Sequence, residues 1–246
     1  MKMASRTHAG LVRMRNEDAL EIDLEHRLAV LADGMGGLMA GREASTLVVQ
    51  GVLAKLKEVI AQENGGMQPR GTVVSHTSLG AAIAAAHQQV LRASAAKEMK
   101  AQMGSTVIIW TVDQERWCAA HVGDSRLYRW HDHALEQLST DHSLAQRMLD
   151  SGEVEPGVDV EAHYGHVLTQ GLGLRQPIEP GFYEGEIVGN GERFLLCSDG
   201  LSDMVSLEKM SQALMLDDLE EAADQLLGYA LDMGGKDNIS LILIEP

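Results

Sequence analysis

The sequence predicts an α+β protein in which helices pack on sheets within one domain, residues 1–246. Three observations carry this. Short apolar runs rich in β-branched residues read as strands. Long segments of helical composition stand between them. Strands and helices come in blocks rather than strict alternation, which argues against a repeating strand–helix–strand sheet. The 246 residues are ample for a buried core, and a hydrophobic fraction of 45% excludes a mainly disordered chain.

Taken in order, the first strand spans 28–32 (LAVLA). A helix follows over about 42–61, where Leu47, Val48, Leu53, Leu56 and Ile60 recur at helical intervals. The breaker-rich NGGMQPRG ends it. A second helix covers about 75–100, where the alanine content favours helix. A block of strands comes next at 106–112, 117–122 and 127–130. The stretch 152–165 lacks periodicity and reads as a surface loop or flap. A strand at 193–197, helical regions at about 207–214 and 219–231, and a strand at 239–244 complete the chain.

Charge narrows the function classes. A formal net charge of −16 is the reverse of a nucleic-acid binder's footprint, and it repels anionic membrane surfaces. No apolar run approaches the roughly 20 residues of a spanning helix, and the start, MKMASRTHAG, is no signal peptide. Cys118 and Cys197 each sit in an apolar run and read as core residues in a reducing cytoplasm.

Chemistry is suggested where apolar strands run into aspartate. LAVLAD-G ends at Asp33-Gly34, FLLCSD-G at Asp199-Gly200, and Asp237 precedes the last strand. Each alone is an ordinary turn. Three abutting very apolar strands suit a hard cation, Mg²⁺ or Mn²⁺, although spacing alone does not show that they converge. Dinucleotide binding fits poorly, because Gly34 and Gly36 match a GxGxxG pattern but its third glycine position is Met39. No P-loop is present: Gly235-Lys236 is followed by Asp237.

The blocks GLVRMRNEDA, ADGMGG, GSTV, HVGDSRLY, STDHSL, LTQGLG, LLCSDGLSD and GGKDNIS stand in order from residue 10 to 240. Together they closely resemble the metal-dependent serine/threonine protein phosphatases of type 2C, in their bacterial single-domain form. The resemblance implies a four-layer α/β/β/α sandwich, with a central antiparallel β-sandwich flanked by helices and a flap at about 143–167. It implies that Asp33 bridges two metals and that Gly34 offers its carbonyl to one of them. Asp199 and Asp237 would ligate the other. Glu17 and Asp18 would hold metal-bound waters, Arg13 would grip the substrate phosphate, and Asp124 with Asp199 would hold a weaker third metal. Asn238 and Ser125 would support the site.

The implied reaction is hydrolysis of phosphoserine and phosphothreonine, by in-line attack of a hydroxide bridging two Mn²⁺ or Mg²⁺ ions. Two metals about 3.5–4 Å apart can activate water and neutralise developing charge. Arginine presents a planar fork matched to phosphate oxygens. Two positions depart from the family pattern. Met35 stands where many eukaryotic relatives carry a histidine proposed as general acid, although bacterial members commonly have Met there, and Gln170 stands where many relatives have arginine. The implied partners are phosphorylated proteins and a cognate serine/threonine kinase, with type VI secretion regulators among the systems such proteins serve. The expected form is a cytoplasmic monomer. His131 and His133, flanking Asp132, read as solvent-facing turn residues, and His163 and His166 as surface or substrate-rim residues.

Overall fold

The computed structural model describes residues 1–36, 40–63, 74–96, 103–152, 154, 159–189 and 191–246. In chain order its strands are β1 (Lys2–His8), β2 (Ala19–Asp23), β3 (Leu28–Ala32), β4 (Gly34–Met35), β5 (Gly104–Ser105) and β6 (Val107–Asp113). They continue as β7 (Arg116–Val122), β8 (Arg126–His131), β9 (Ala134–Gln137), β10 (Gly181–Glu186), β11 (Arg193–Cys197) and β12 (Ile239–Glu245). The helices are α1 (Ala40–Glu63), α2 (His76–Ala96), α3 (Leu144–Ser151), α4 (Val160–Tyr164), α5 (Asp199–Ser202), α6 (Leu207–Leu214) and α7 (Leu219–Asp232).

Two five-stranded antiparallel sheets form the centre, in the orders β1-β12-β11-β8-β9 and β10-β7-β6-β3-β2. The expected α+β four-layer sandwich is what the chain adopts. Three apolar layers show why. Leu28, Val30 and Ala32 of β3 pack with Val48, Leu56 and Ile83 of α1 and α2. Ala29 and Leu31, on the other face of β3, join Phe194, Leu196, Ile242 and Ile244 between the sheets. Leu195, Cys197, Leu241 and Leu243 then pack on Met210, Leu214 and Leu226 of α6 and α7. Strands covered on both faces need apolar residues at every position, so they read as unbroken apolar runs.

The predicted strands and helices recur with ends shifted by a residue or two, and several elements are additional. β1, β2, β9 and β10 are polar and lie towards or at the sheet edges; β10 alternates exposed and half-buried residues along GFYEGE. The stretch expected to be loop or flap is partly helical. Ser143 Oγ accepts from Gln146 N–H to cap α3, and Gly152 ends that helix in the left-handed region at φ 71°. The NGGMQPRG loop and residues 97–100 of the expected second helix lie outside the described residues.

Candidate functional site

Asp33 leaves β3 where two short strands begin, and its backbone is held from both sides. Its N–H donates to Thr106 Oγ1 at 2.9 Å, while its carbonyl accepts from Thr106 N–H at 2.8 Å and Ser105 Oγ at 2.9 Å. Thr106 Oγ1 also shares a 2.7 Å hydrogen bond with Ser125 Oγ, beside Asp124. The Asp124 turn is braced from behind. His142 N–H donates to the Gly123 carbonyl at 2.8 Å, and the Arg126 guanidinium holds Asp141 at 2.6 Å.

On the other sheet, Asp199 follows β11 and Asp237 precedes β12, neighbours in that sheet. Ser198 Oγ donates to Asp18 Oδ2 at 3.0 Å and accepts from Ser240 N–H at 3.0 Å. Asn238 ties in the β1–β2 loop. Its Oδ1 accepts from Glu17 N–H at 2.7 Å, and its Nδ2 donates to the carbonyls of Ala9 and Arg15 at 3.0 and 2.8 Å. Thr106, Ser105 and Ser198 were not singled out from sequence. The available signal was a hydroxyl residue standing where an apolar strand ends.

Two glycines are required by close approach rather than by turns. A Cβ on Gly34 would collide with the Gly41 carbonyl and lie 2.5 Å from that of Glu17. A Cβ on Gly200 would collide with the Asn238 carbonyl.

These elements enclose a cleft of about 1010 Å³ lined by Arg13, Glu17, Asp33, Gly34, Asp124, Asp199 and Asp237. So all but one of the sequence-predicted ligand and substrate-contact residues share its wall. The exception is Asp18, which is 8% exposed and sits behind the lining, bonded to Ser198. Met35 lines the cleft, and His166, Val167 and Leu168 form part of its rim. Gln170 lies outside the lining; its Oε1 accepts from Glu179 N–H at 2.6 Å and braces that loop. Residues Asp132 and His133 occupy a hairpin turn with φ of 49° and 61°, and His131 Nε2 lies 3.2 Å from Asp132.

Electrostatically the cleft is strained. Burial, then the charges of Asp18, Asp199, Asp124 and Asp237, push the Asp33 carboxyl well above the usual range. Burial and the neighbouring Asp199 do the same to Asp124. Asp199 is pushed up to about 7 by burial and by Asp203 and Asp237, and Asp18 to about 6 chiefly by burial. Glu17 is raised by burial, against the pull of Arg13. Among the described residues, no ion pair reaches Asp33, Asp124 or Asp199. Of the two arginines that line the cleft, Arg13 and Arg15, Arg13 spends its charge on Asp237, with Nη2 2.6 Å from Oδ2.

Asp18 Oδ1 and Asp199 Oδ1 are buried without a hydrogen-bond partner. Orphaned carboxylate oxygens crowded together are costly unless a cation joins them. An all-oxygen donor set of this kind fits a hard divalent ion such as Mn²⁺ or Mg²⁺. Asp33, Asp199, Asp237 and Asp124, with Gly34, line this cleft together.

The protein phosphatase 2C family model matches residues 7–231. The chain belongs to the protein phosphatase 2C family. The matched span includes seven of the eight candidate residues and ends before Asp237. The chain is 34% identical to the serine/threonine protein phosphatase PstP of Mycobacterium tuberculosis across its full length, and covers 45% of that relative. It therefore spans about half the length of that curated relative. The solved catalytic domain of PstP in complex with two manganese ions superposes with a TM-score of 0.83 at 33% identity, covering 99% of this chain and 97% of that one. PppA of Pseudomonas aeruginosa, described as a key regulatory component of T6SS, superposes with a TM-score of 0.82 at 28% identity, covering 100% and 97%. The fold and family are those of serine/threonine protein phosphatases.

Proposed function

We propose that the chain is a Mn²⁺- or Mg²⁺-dependent phosphoprotein phosphatase that hydrolyses phosphoserine and phosphothreonine, reversing a serine/threonine kinase. One observation supports this above the others: a cleft of mutually repelling carboxylates, with orphaned oxygens on Asp199 in its wall and on Asp18 behind it, stands beside a cleft-lining arginine. Two divalent cations in such a cleft supply charge for the phosphoryl oxygens and a hydroxide nucleophile at neutral pH. Asp33, its backbone clamped by Ser105 and Thr106 and its carboxyl opposed by the charges of Asp18, Asp199, Asp124 and Asp237, would serve as the shared ligand. Asp199 and Asp237 complete the set, and Asp124, facing Asp199, serves a weaker third ion.

Arg13 stands at the mouth, more than half exposed, where its fork can leave Asp237 and take two phosphate oxygens. Glu17 lines the same wall, where its carboxylate would hold metal-bound water, while Asp18 accepts from Ser198 behind it. No side chain of the protein carries the phosphoryl group in this reading. Met35 offers no proton, so the leaving serine or threonine oxygen is protonated from water.

The free, buried thiols of Cys118 and Cys197 support a reducing compartment, the cytoplasm. Among the described residues no helix is long and apolar enough to cross a membrane. The likeness to PppA supports phosphoproteins of a type VI secretion apparatus as one substrate class; comparing phosphoproteomes with and without the gene tests it. The activity itself is tested with p-nitrophenyl phosphate and a phosphothreonine peptide across a Mn²⁺ titration. Metal-dependent phosphate release is expected from both. A well-folded, metal-loaded protein that releases none would reduce the chain to a binding relative of the family.

A further inference from the structure

A second cluster lies on the helix-covered face of the β10-edged sheet and takes no part in the cleft. Cys118 of β7 and Glu184 of β10 are direct cross-strand partners. His76, the first residue of α2, lies over both. One donor atom from each of the three comes within 4.8 Å of the other two. His76 Nε2 is 3.6 Å from Glu184 Oε2, and Cys118 Sγ is 4.0 Å from the same oxygen. The His76 ring is set in place by stacking on Phe182, with centroids 5.1 Å apart at 27°. Its Nε2 is shielded from solvent yet makes no hydrogen bond.

We infer that His76, Cys118 and Glu184 form a zinc site, completed by water, that ties the start of α2 to the sheet edge. A sulfur, an imidazole nitrogen and a carboxylate form a donor set that zinc takes readily and that is too soft for Mg²⁺. Bonds of about 2.0–2.3 Å in a tetrahedron place donors about 3.3–3.6 Å apart, so the two Glu184 contacts, at 3.6 and 4.0 Å, close by about 0.3–0.5 Å, and the His76–Cys118 pair, within 4.8 Å, closes by up to about 1.3 Å through side-chain rotation. Burial and the Glu184 charge raise the Cys118 thiol, which is therefore protonated before the ion arrives. On binding, the S–H bond breaks, the proton leaves to solvent, and the sulfur lone pair forms the bond to zinc; nothing is oxidised or reduced. Arg116 touches Glu184 at 3.3 Å, but it is a mostly exposed chain in a weak pair and can swing away. Cys118 stands four residues of extended chain, about 13 Å, before the end of β7 at Val122, ahead of the turn that carries Asp124, and none of the three residues lines the cleft.

Cobalt distinguishes the two sites, because the cleft is all oxygen and gives no thiolate absorption. Protein loaded with Mg²⁺ is titrated with Co²⁺. One equivalent of a near-ultraviolet thiolate-to-cobalt band, with intense tetrahedral visible bands, is expected. Cys118→Ser and His76→Ala should abolish the band or weaken cobalt binding by more than about tenfold, and Cys197→Ser should leave it unchanged. Zn²⁺ should raise the melting temperature of the wild type and not of Cys118→Ser. Should Cys118→Ser fail to fold, the variants at the less buried positions, His76→Ala and Glu184→Ala, carry the comparison. Absence of the thiolate band in the wild type, or its persistence in His76→Ala and Glu184→Ala at unchanged affinity, overturns the site.

Discussion

Replacing Asp33 by Asn keeps the shape of the side chain and removes the charge that several neighbouring carboxylates already oppose. Activity should fall by at least about a hundredfold, while the metal-free protein gains thermal stability because a desolvated like charge is gone. Wild-type turnover at saturating Mn²⁺ would remove Asp33 from the centre. Arg13 behaves differently, because it pairs with a candidate ligand rather than standing free. Arg13→Ala should weaken phosphopeptide binding yet bind Mn²⁺ equally or up to about fivefold more tightly, since an exposed ion pair is worth under about 1 kcal/mol. Loss of calorimetric Mn²⁺ binding in that variant would mean that Arg13 supports the fold instead. For Asp124→Ala, turnover toward phosphopeptides should drop while two tight cations remain. Its metal-free melting temperature should rise, because burial beside Asp199 costs stability. A turn-capping residue would show the opposite, lower stability with normal turnover per folded molecule.

At the scale of elements, the site depends on how the β1–β2 loop is attached. That loop carries Arg13 and Glu17, and Asn238 holds it through three hydrogen bonds to residues 9, 15 and 17. Asn238→Ala should destabilise the chain by about 1–3 kcal/mol in urea unfolding and speed amide exchange across residues 9–17. Turnover should fall although every ligand carboxylate remains; unchanged exchange in the loop would contradict this attachment. The edge strands explain what local patterns hid. β1 has one buried residue, Ala4, and is held by a register running from Lys2↔Glu245 to His8↔Ile239. Its ion pairs, Arg6 to Glu220 and Asp224, likewise join the two ends of the chain. No window along the sequence contains both partners.

For the whole molecule, the crowded carboxylates set a pH dependence. Asp18 and Asp199 titrate at about 6 and about 7 in the folded chain, above the ordinary carboxylate value of about 4 in the unfolded one. The folded state therefore binds more protons across that window. Their stabilising contribution is complete below about pH 4 and is lost as pH rises through about 6 to 7. Metal-free protein should melt at a lower temperature at pH 8 than at pH 5, and Mn²⁺ should recover more stability at pH 8. The pH slope should shrink in Asp199→Asn. A slope that Asp199→Asn leaves intact would assign it to the overall charge of −16 rather than to the cleft.

The strands at 28–32 and 193–197 are legible to the residue because burial on both faces demands apolar side chains along 28–32 and along 194–197, where Arg193 opens the run. Placing Asp33, Asp199 and Asp237 at the ends of apolar strands was legible for the same reason: a carboxylate ends an apolar run visibly. The sequence by itself therefore determined the layers, the long helices and the ligand candidates. Their convergence was decided only by the tertiary structure, since it depends on two sheets stacking with the ends of β3 and β11 toward one cleft. So was the retreat of Asp18 behind Ser198, and so was the pairing of Arg13 with a residue 224 positions away. Hydrophobic periodicity is local and survives in the sequence, whereas sheet order, register and the meeting of distant loops are set by contacts between segments that no local pattern encodes.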